Sequence, residues 1–261
     1  MKICSLFSGS SGNCIFVGSD NTKILVDAGM SGTKITNALK SIDVNPNELD
    51  GILVTHEHID HIKGAGILSR KYDVPIYATD KTWEAMEDKI GEVSLKNVRQ
   101  IYSDSDFCIN DIDITANKIP HDAVDPVAYN LMNKGRKVGI CTDLGYMPKT
   151  VYDSIKDCDV LLLESNHDID MLNAGSYPFA TKKRILGQKG HLSNETCGQI
   201  LAHLADRVRY VMLGHLSKEN NTPDLALSTI VSILKENGIT EKDIFLEVLK
   251  RDKISRMYDV V

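Results

Sequence analysis

The sequence has no apolar stretch long enough to cross a bilayer, and its six cysteines contain no Cys-x-x-Cys pair. The first absence excludes a membrane-spanning protein, since a transmembrane helix needs about 20 apolar residues. The opening residues Met1–Leu6 also lack the apolar region of a secretory signal. Most of the cysteines lie in apolar runs, which predicts reduced, buried, structural thiols. Together these features favour a cytoplasmic protein with no membrane partner.

An excess of positive charge is missing as well. The chain carries 30 lysines and arginines against 36 aspartates and glutamates, a formal net charge of −6. This balance argues against general affinity for nucleic acid, although it leaves room for one locally positive site. Linkers, low-complexity segments and short-period repeats are also absent. We therefore expect one domain over residues 1–261, because α/β chains of this size are often a single unit.

What the sequence does contain is a dense group of metal-ligand residues. Three histidines and two carboxylates fall within His56–His61, directly after an apolar run that predicts a short buried strand. His56 and His58 are two residues apart, so on an extended chain both rings point to the same side and can face one ion. Asp60 and His61 follow as the chain turns and can reach a second ion. A polar loop that is histidine-rich by chance is the weaker interpretation, because so many ligands at a strand end are hard to explain by packing.

The other polar candidates also stand where predicted strands end. Short apolar runs such as Tyr210–Leu213 alternate with amphipathic helical segments, which predicts an α/β chain. Val127–Met132 and Val138–Thr142 form a predicted hairpin, and Ile62–Tyr72 a predicted helix after the metal motif. A sheet whose polar residues follow strand ends builds one site along one edge. These strand-end residues are Asp27, His56, His121, Asp143, Glu164 and His215.

The run His-x-His-x-Asp-His resembles the metal motif of the metallo-β-lactamase superfamily, whose members are mostly two-metal hydrolases. The resemblance implies a four-layer αββα sandwich of the α/β (α+β) class, with two divalent metal ions per chain, Zn2+ or else Mn2+ or Fe. Asp143 is implied to bridge the ions, since a carboxylate has an oxygen for each, and Asp27 to orient a ligand histidine. The implied ligands are His56, His58 and His121 for the first ion, and Asp60, His61 and His215 for the second.

The spacing from Glu164 to His191 and on to His215 resembles the phosphodiesterase branch of this superfamily, in which a glutamate–histidine pair beside the metals protonates the leaving oxygen. The resemblance implies that Glu164 orients and charges His191, which acts as general acid. A hydroxide shared by the two ions is the implied nucleophile on phosphorus. Asp60 is counted with this catalytic group as well as among the ligands. For Glu164 alone, a solvated strand end stays open as the alternative.

Three longer motifs, Phe7–Cys14, Glu164–Asp168 and His215–Pro223, resemble the YycJ/WalJ family of bacterial proteins. That family is associated with 5′-to-3′ exonuclease action on double-stranded DNA and with DNA repair, so the resemblance implies a nucleic-acid substrate, duplex DNA in particular. Donors in the first motif and a basic segment before His191 could hold phosphates. An ordinary hairpin turn and a solvated helix face are the alternatives. The candidate substrate-binding residues are Ser10, Ser11, Asn13, Lys183 and Arg184.

Related activities stay open at this point. An RNA- or cyclic-nucleotide phosphodiesterase uses the same metal motif, but the chain between Asp143 and Glu164 has no room for the large inserted domain of the β-CASP nucleases. Only a hairpin fits between His121 and Asp143, so the tRNA-clamping arm of tRNase Z is not expected. A glyoxalase II-like thioesterase uses the same seven ligands on a carbonyl carbon. A metal-dependent sensor or scaffold is the non-enzymatic alternative.

Overall fold

Two seven-stranded β-sheets form the centre of the protein in the computed structural model, which describes residues 1–260. The first sheet comprises β1 (Lys2–Phe7), β2 (Cys14–Gly18), β3 (Lys23–Val26), β4 (Gly51–Leu53), β5 (Ile76–Thr79), β6 (Val98–Ile101) and β14 (Tyr258–Asp259). Their spatial order is β14-β1-β2-β3-β4-β5-β6. The pairs from β14 to β3 are antiparallel, and those from β3 to β6 are parallel. Strands β2 and β4 are buried throughout, as expected for strands covered on both faces.

The second sheet comprises β7 (Ser105–Ile109), β8 (Ile112–Lys118), β9 (Val127–Asn133), β10 (Arg136–Cys141), β11 (Val160–Glu164), β12 (Tyr210–Gly214) and β13 (Phe245–Val248). Their spatial order is β13-β12-β11-β10-β9-β8-β7, parallel from β10 to β13 and antiparallel from β7 to β10. The predicted hairpin is present as β9 and β10. Its two turn residues, Lys134 and Gly135, have φ of 50° and 76°, which matches the right-handed twist of the flanking strands.

Helices flank both sheets. They are α1 (Gly32–Ser41), α2 (Ile59–Ile62), α3 (Ala65–Tyr72), α4 (Asp80–Ile90), α5 (Lys149–Ile155), α6 (Ile169–Ala174), α7 (Phe179–Ile185), α8 (Asn194–Leu204) and α9 (Pro223–Glu236). The prediction of one helix over Ile62–Tyr72 is wrong, because the chain breaks between α2 and α3. The backbone N–H of Gly64 donates to the carbonyl of Ala28 over 2.7 Å and so leaves the helical pattern, and only glycine fits there, since a Cβ would lie 2.4 Å from the carbonyl oxygen of Met30. None of the helices among residues 1–260 has the length and apolar character needed to cross a bilayer.

Three apolar clusters separate four layers. One fills the space between the sheets, and the other two lie between each sheet and its helices. The layers therefore run helix, sheet, sheet, helix, as the resemblance to the metallo-β-lactamase superfamily implies. Five of the six free cysteines are buried, but Cys108 is exposed, which corrects the prediction for that residue. The reason is its place on the outermost strand β7, where residues alternate between inward and outward positions.

The topology brings the predicted site residues to one edge. Strands β10, β11 and β12 are parallel, so the chain leaves all three at the same end of the second sheet, where Glu164 ends β11 and Asp143 and His215 follow β10 and β12. Strand β8 runs in the same direction as β10, since both are antiparallel to β9, and His121 follows it. In the first sheet, the segment after β4 carries His56–His61, and we call residues 55–62, which include α2, the metal loop. The carboxyl ends of strands from both sheets thus meet over one cleft.

Candidate metal centre

The first group of predicted ligands lies together where β4 and β8 end. His56 Nε2 is 3.0 Å from His58 Nδ1, and the ring of His121 lies 4.9 Å and 5.2 Å from the rings of His56 and His58. One ring nitrogen from each residue falls within 4.8 Å of the others. Three imidazole donors therefore converge as the assignment to a first ion requires.

The second group lies beside the first. The Oδ2 atom of Asp60 is 3.6 Å from His61 Nε2 and 3.9 Å from His215 Nε2. One donor atom from each of these three residues falls within 4.8 Å of the other two. Asp60 and His61 are in helix α2, and His215 is the first residue after β12. The short helix thus turns the metal loop so that it meets the other sheet.

Asp143 lies between the two groups. Its Oδ2 atom is 3.3 Å from His61 Nε2, and its Oδ1 atom is 3.8 Å from His121 Nε2. The residue is buried and has a φ of 60°, in the left-handed region that few residues other than glycine adopt. Backbone strain of this kind is found where side-chain direction matters more than backbone preference. The position suits a carboxylate that serves both halves of the site.

Contacts behind the histidines determine which ring nitrogen faces the cleft. Asp27 Oδ2 accepts a hydrogen bond of 2.7 Å from Nδ1 of His61, as predicted for an orienting carboxylate. Thr55 Oγ1 donates to Asp27 Oδ2 over 2.9 Å and accepts from Nδ1 of His56 over 3.0 Å. Nδ1 of His121 donates to the carbonyl of Gly190 over 3.2 Å. Each of these contacts occupies Nδ1, so Nε2 is the ring nitrogen turned towards the cleft, where it can bind a metal ion. Thr55 was missed by sequence reasoning, although it stands directly before the metal motif.

The donor atoms are suited to a metal because some of them have no other partner. His215 Nε2 and Asp143 Oδ2 are buried, and neither has a hydrogen-bond partner within residues 1–260. Buried polar atoms are nearly always paired in folded proteins, so such orphans call for a missing partner. The mixture of imidazole and carboxylate donors suits Zn2+, Mn2+ or Fe. The residues present therefore fit the implied pair of divalent ions.

Electrostatics divide the site into a neutral and an acidic half. Burial holds the pKa of His56 well below its ordinary value and also lowers the pKa of His121, which favours the neutral imidazole that binds metals. Around His61, burial acts in the same direction, but the carboxylates of Asp27 and Asp143 outweigh it and raise its pKa to about 9. The acidic half thus has a negative potential that attracts cations.

Glu164 holds two histidines. Its Oε1 atom accepts hydrogen bonds from Nδ1 of His191 over 2.8 Å and from Nδ1 of His215 over 2.7 Å, while Oε2 accepts the backbone N–H groups of Leu144 and Leu192. Burial alone would raise the pKa of Glu164, but His191 and His215 hold it below its usual range. The predicted contact with His191 is present. The contact with His215 was not foreseen, because it depends on how the end of β11 packs against the loop after β12.

A cleft of about 420 Å³ opens over these groups. Among the predicted substrate-binding residues, Ser10 and Arg184 line it. The guanidinium of Arg184 is paired with Asp122 over 2.6 Å, so its charge is partly neutralised.

Asn13 is buried behind the cleft, where Nδ2 donates to His61 Nε2 over 3.2 Å. Ser11 and Lys183 are exposed and outside the lining, and for all five the binding role stays a prediction. The further side chains of the lining include Asn166, Tyr177, Thr181 and Ser217.

Two polar contacts support the backbone of His215, which has a φ of 55°. Ser8 Oγ accepts its backbone N–H over 3.0 Å, and Asn166 Nδ2 donates to its carbonyl over 2.9 Å. Both supporting side chains are buried. Sequence reasoning did not assign them a role, although each lies in a motif that it singled out. Their contacts show why those motifs combine small hydroxyl and amide side chains.

Comparison with known proteins agrees with this geometry. Residues 22–216 match the family described as the beta-lactamase superfamily domain. Exodeoxyribonuclease YycJ of Bacillus anthracis is 44% identical over 236 residues, which cover 89% of each protein. Exodeoxyribonuclease WalJ of Streptococcus pneumoniae is 43% identical over 240 residues, which cover 90% of this chain and 88% of that protein.

A solved structure carries the same fold. The metallo-β-lactamase fold protein YhfI of Bacillus subtilis aligns with a TM-score of 0.73 at 17% identity, covering 98% of this chain and 99% of that chain. The likeness confirms the predicted fold. With the sequence match over most of its length, the chain belongs to the metallo-β-lactamase superfamily and, within it, to the family of YycJ and WalJ.

Proposed function

We propose that the protein is a two-metal phosphodiesterase that degrades double-stranded DNA from the 5′ end and acts in DNA repair. Its family makes it a metal-dependent hydrolase. The observation that carries the proposal is the convergence of two donor groups on Asp143, with His191 in the wall of the same cleft and Glu164 buried behind it. The two relatives named exodeoxyribonuclease support DNA as the substrate.

The metal-binding residues are proposed to act as two sets. His56, His58 and His121 hold one divalent ion, and Asp60, His61 and His215 the other, with Asp143 shared. Zn2+ is the favoured metal, with Mn2+ or Fe as alternatives. When bound, such a pair supplies an activated water and neutralises charge on the phosphate. Because Asp60 would hold one of these ions, it is also proposed as a catalytic residue.

His191 is proposed to act as the general acid. Its Nδ1–H is held by Glu164, so Nε2 is the ring nitrogen left to deliver a proton to the departing oxygen of the phosphodiester. Glu164 favours the protonated imidazole, and although burial works against it, the pKa of His191 is raised. A positioned acid of this kind contributes about 10²- to 10⁴-fold to the rate. A thioester needs no such acid, because a thiolate leaves readily, which favours phosphodiester over thioester hydrolysis.

The cleft wall is proposed to hold the substrate. Ser10 and Arg184 are lining residues that can contact a phosphate, and the exposed Ser11 and Lys183 can contact the strand outside. Asn13 acts indirectly, since it bonds His61 and accepts the backbone N–H of Gly9 within the Ser8–Asn13 loop. It thereby ties this loop to the metal loop.

The test is a substrate panel assayed under Zn2+, Mn2+ and Mg2+, with metal content measured by mass spectrometry. The panel contains bis(p-nitrophenyl) phosphate, blunt duplex DNA labelled at either the 5′ or the 3′ end, a matched RNA duplex and S-lactoylglutathione. We expect early release of the 5′ label and late release of the 3′ label. Turnover of S-lactoylglutathione alone would identify a thioesterase. Full metal occupancy without turnover of any substrate would identify a sensor or scaffold.

A further inference from the structure

One aromatic side chain other than histidine lines the metal cleft. Within residues 1–260, Tyr177 is the only tyrosine, phenylalanine or tryptophan in the cleft wall, and it is half-buried. Two other tyrosines have their rings covered by a second ring, since Tyr77 stacks on Phe107 and Tyr210 on Tyr258. The ring of Tyr177 has no such partner within the same residues. The cleft therefore contains one flat apolar surface that the protein itself does not cover.

The turn that carries Tyr177 joins α6 to α7 and is held on both sides. The backbone N–H of Gly175 donates to the carbonyl of Met171 over 2.8 Å, which ends α6. The Nζ atom of Lys182, in α7, donates to the carbonyl of Asn173 over 2.6 Å and so ties the two helices together across the turn. Tyr177 also stands directly before a proline, which restricts its backbone to extended conformations.

The same turn is packed against the loop that carries His215. A Cβ on Gly175 would lie 2.7 Å from Oδ1 of Asn220, so the turn and the loop after β12 are in close contact. The backbone N–H of Asn220 donates to Oγ of Ser217 over 3.2 Å. Ser217 lines the cleft two residues after His215. Contacts thus run from a proposed metal ligand to the turn of Tyr177, and they fix the place of the turn beside the metal centre.

The rest of the cleft wall is polar. Besides the proposed metal ligands, it includes the hydroxyl groups of Ser10, Thr181 and Ser217 and the guanidinium of Arg184. The cleft volume of about 420 Å³ lies within the range of small-ligand sites, about 300–1,000 Å³, so the cleft suits one nucleotide better than a whole duplex. A nucleotide has a flat base, a polar sugar and a charged phosphate. One ring, several hydroxyl groups and a metal centre complement these three parts.

We propose that Tyr177 is a specificity-determining residue, which stacks on the base of the nucleotide whose phosphate lies at the metal centre. Stacking of this kind is tolerant of sequence, because every base has a π-face. The cleft therefore selects phosphodiesters that carry a base, whichever base it is, over phosphodiesters that carry none. The inference rests on the proposed function, since it names the group that the same cleft recognises beside the phosphate.

The first experiment measures binding to the metal-loaded protein by isothermal titration calorimetry. The probes are thymidine 5′-monophosphate and 2-deoxyribose 5-phosphate, which carries the phosphate without the base. We expect the nucleotide to bind about tenfold more tightly, Tyr177→Ala to remove that difference, and Tyr177→Phe to keep it, because phenylalanine retains the ring. Tyr102→Ala is the matched control, since Tyr102 is exposed and outside the cleft wall. Equal affinities in the wild type, or loss of the difference in Tyr177→Phe, would overturn the proposal.

The second experiment compares hydrolysis of thymidine 5′-(p-nitrophenyl phosphate) with hydrolysis of methyl p-nitrophenyl phosphate. Both esters release p-nitrophenolate, which leaves readily without a general acid, so the comparison does not depend on His191. Tyr177→Ala is expected to lower kcat/KM for the thymidine ester about tenfold relative to the methyl ester.

An equal loss on both esters would overturn the inference, because it would show that Tyr177 only supports the metal centre. A wild type that hydrolyses both esters equally well would contradict the inference and leave the proposed function in place. A wild type that prefers the nucleotide in the binding experiment but hydrolyses no phosphodiester would contradict the proposed function and leave base recognition in place.

Discussion

Charged groups lie at both ends of the second sheet, but they are buried at one end and paired near the surface at the other. At the carboxyl ends of β10, β11 and β12, Asp143, Glu164 and His215 are buried, and two donor atoms among them lack a partner within residues 1–260. At the amino ends of the same strands, the charges lie near the surface in pairs. Arg136 bonds Asp159, and Arg207 bonds Asp157, each over 3.1 Å.

The amino end is a self-contained polar cluster. Tyr210 donates its hydroxyl hydrogen to Glu247 and accepts a hydrogen bond from Arg256 over 3.2 Å. The guanidinium of Arg256 also lies over the rings of Tyr210, Phe245 and Tyr258 at 5.5 to 5.6 Å. These contacts fasten β14 of the first sheet to β12 and β13 of the second. A cavity of about 620 Å³ lies there, larger than the metal cleft.

Neither the size of a cavity nor the number of charged residues around it therefore identifies the candidate metal centre. What distinguishes the carboxyl end is a set of buried donors that the protein leaves unsatisfied. Such a set is costly in a folded chain unless a ligand completes it. At the amino end the same types of residue satisfy one another and stabilise the fold.

The largest effect should come from Asp143→Asn. The change removes the negative charge shared by both donor groups, so we expect metal content to fall and hydrolysis to drop by about a thousandfold or more, since metal-based charge stabilisation is worth several kcal/mol. Wild-type protein at a metal concentration of 100 times the Kd should gain about 2.7 kcal/mol in free energy of unfolding, and the variant should not. Mass spectrometry and thermal unfolding with and without metal provide the measurements.

The matched control is Asp159→Asn at the amino end of the same sheet. Its carboxylate is paired with Arg136, and within residues 1–260 neither Asp157 nor Asp159 has a buried oxygen that lacks a hydrogen-bond partner. Full metal content and unchanged turnover are expected. Loss of metal in this control would show that the two ends are not separate in function.

A smaller effect is expected from His191→Ala, because it removes the proposed acid and spares the proposed ligands. Turnover of DNA should fall by about 10²- to 10⁴-fold while metal content stays full. His203→Ala is the control, since that histidine is exposed on α8 and its ring donates to the carbonyl of Gln199, away from the cleft. If His191→Ala also emptied the site of metal, His191 would have to be reassigned as a ligand. Its position allows this, because His191 Nδ1 lies 3.7 Å from Asp143 Oδ1.

Much of the site could be predicted because its residues follow strand ends. The apolar run before His56 and the runs before Asp143 and His215 are visible in the sequence, and parallel neighbours bring their ends together. The same reasoning predicted the β9–β10 hairpin, whose Lys134-Gly135 turn is local. Local sequence patterns thus account for the strands and the hairpin, and for the sheet edge at which the site lies.

Contacts between loops could not be predicted, since they depend on how distant segments pack. Thr55 forms hydrogen bonds with both Asp27 and His56, and Glu164 forms hydrogen bonds with both His191 and His215. The break between α2 and α3 has a similar origin, because it comes from contact with a segment about 35 residues earlier. Pairing of β14 with β1 joins the two ends of the chain. The pattern of apolar residues within one segment carries no information about such a contact with a distant segment.

The smallest effect should come from removing one hydroxyl at each end of the sandwich. Tyr210→Phe removes the bond to Glu247, and Tyr129→Phe removes a bond of 2.8 Å to the carbonyl of Val54, just before the metal loop. Each should lower the free energy of unfolding by about 1 kcal/mol, the usual net value of one hydrogen bond. Only Tyr129→Phe should also weaken metal binding, because Val54 leads directly into the metal loop. Urea unfolding and metal titration of both variants measure this, and equal metal affinities would mean that the loop holds its geometry without support from the second sheet.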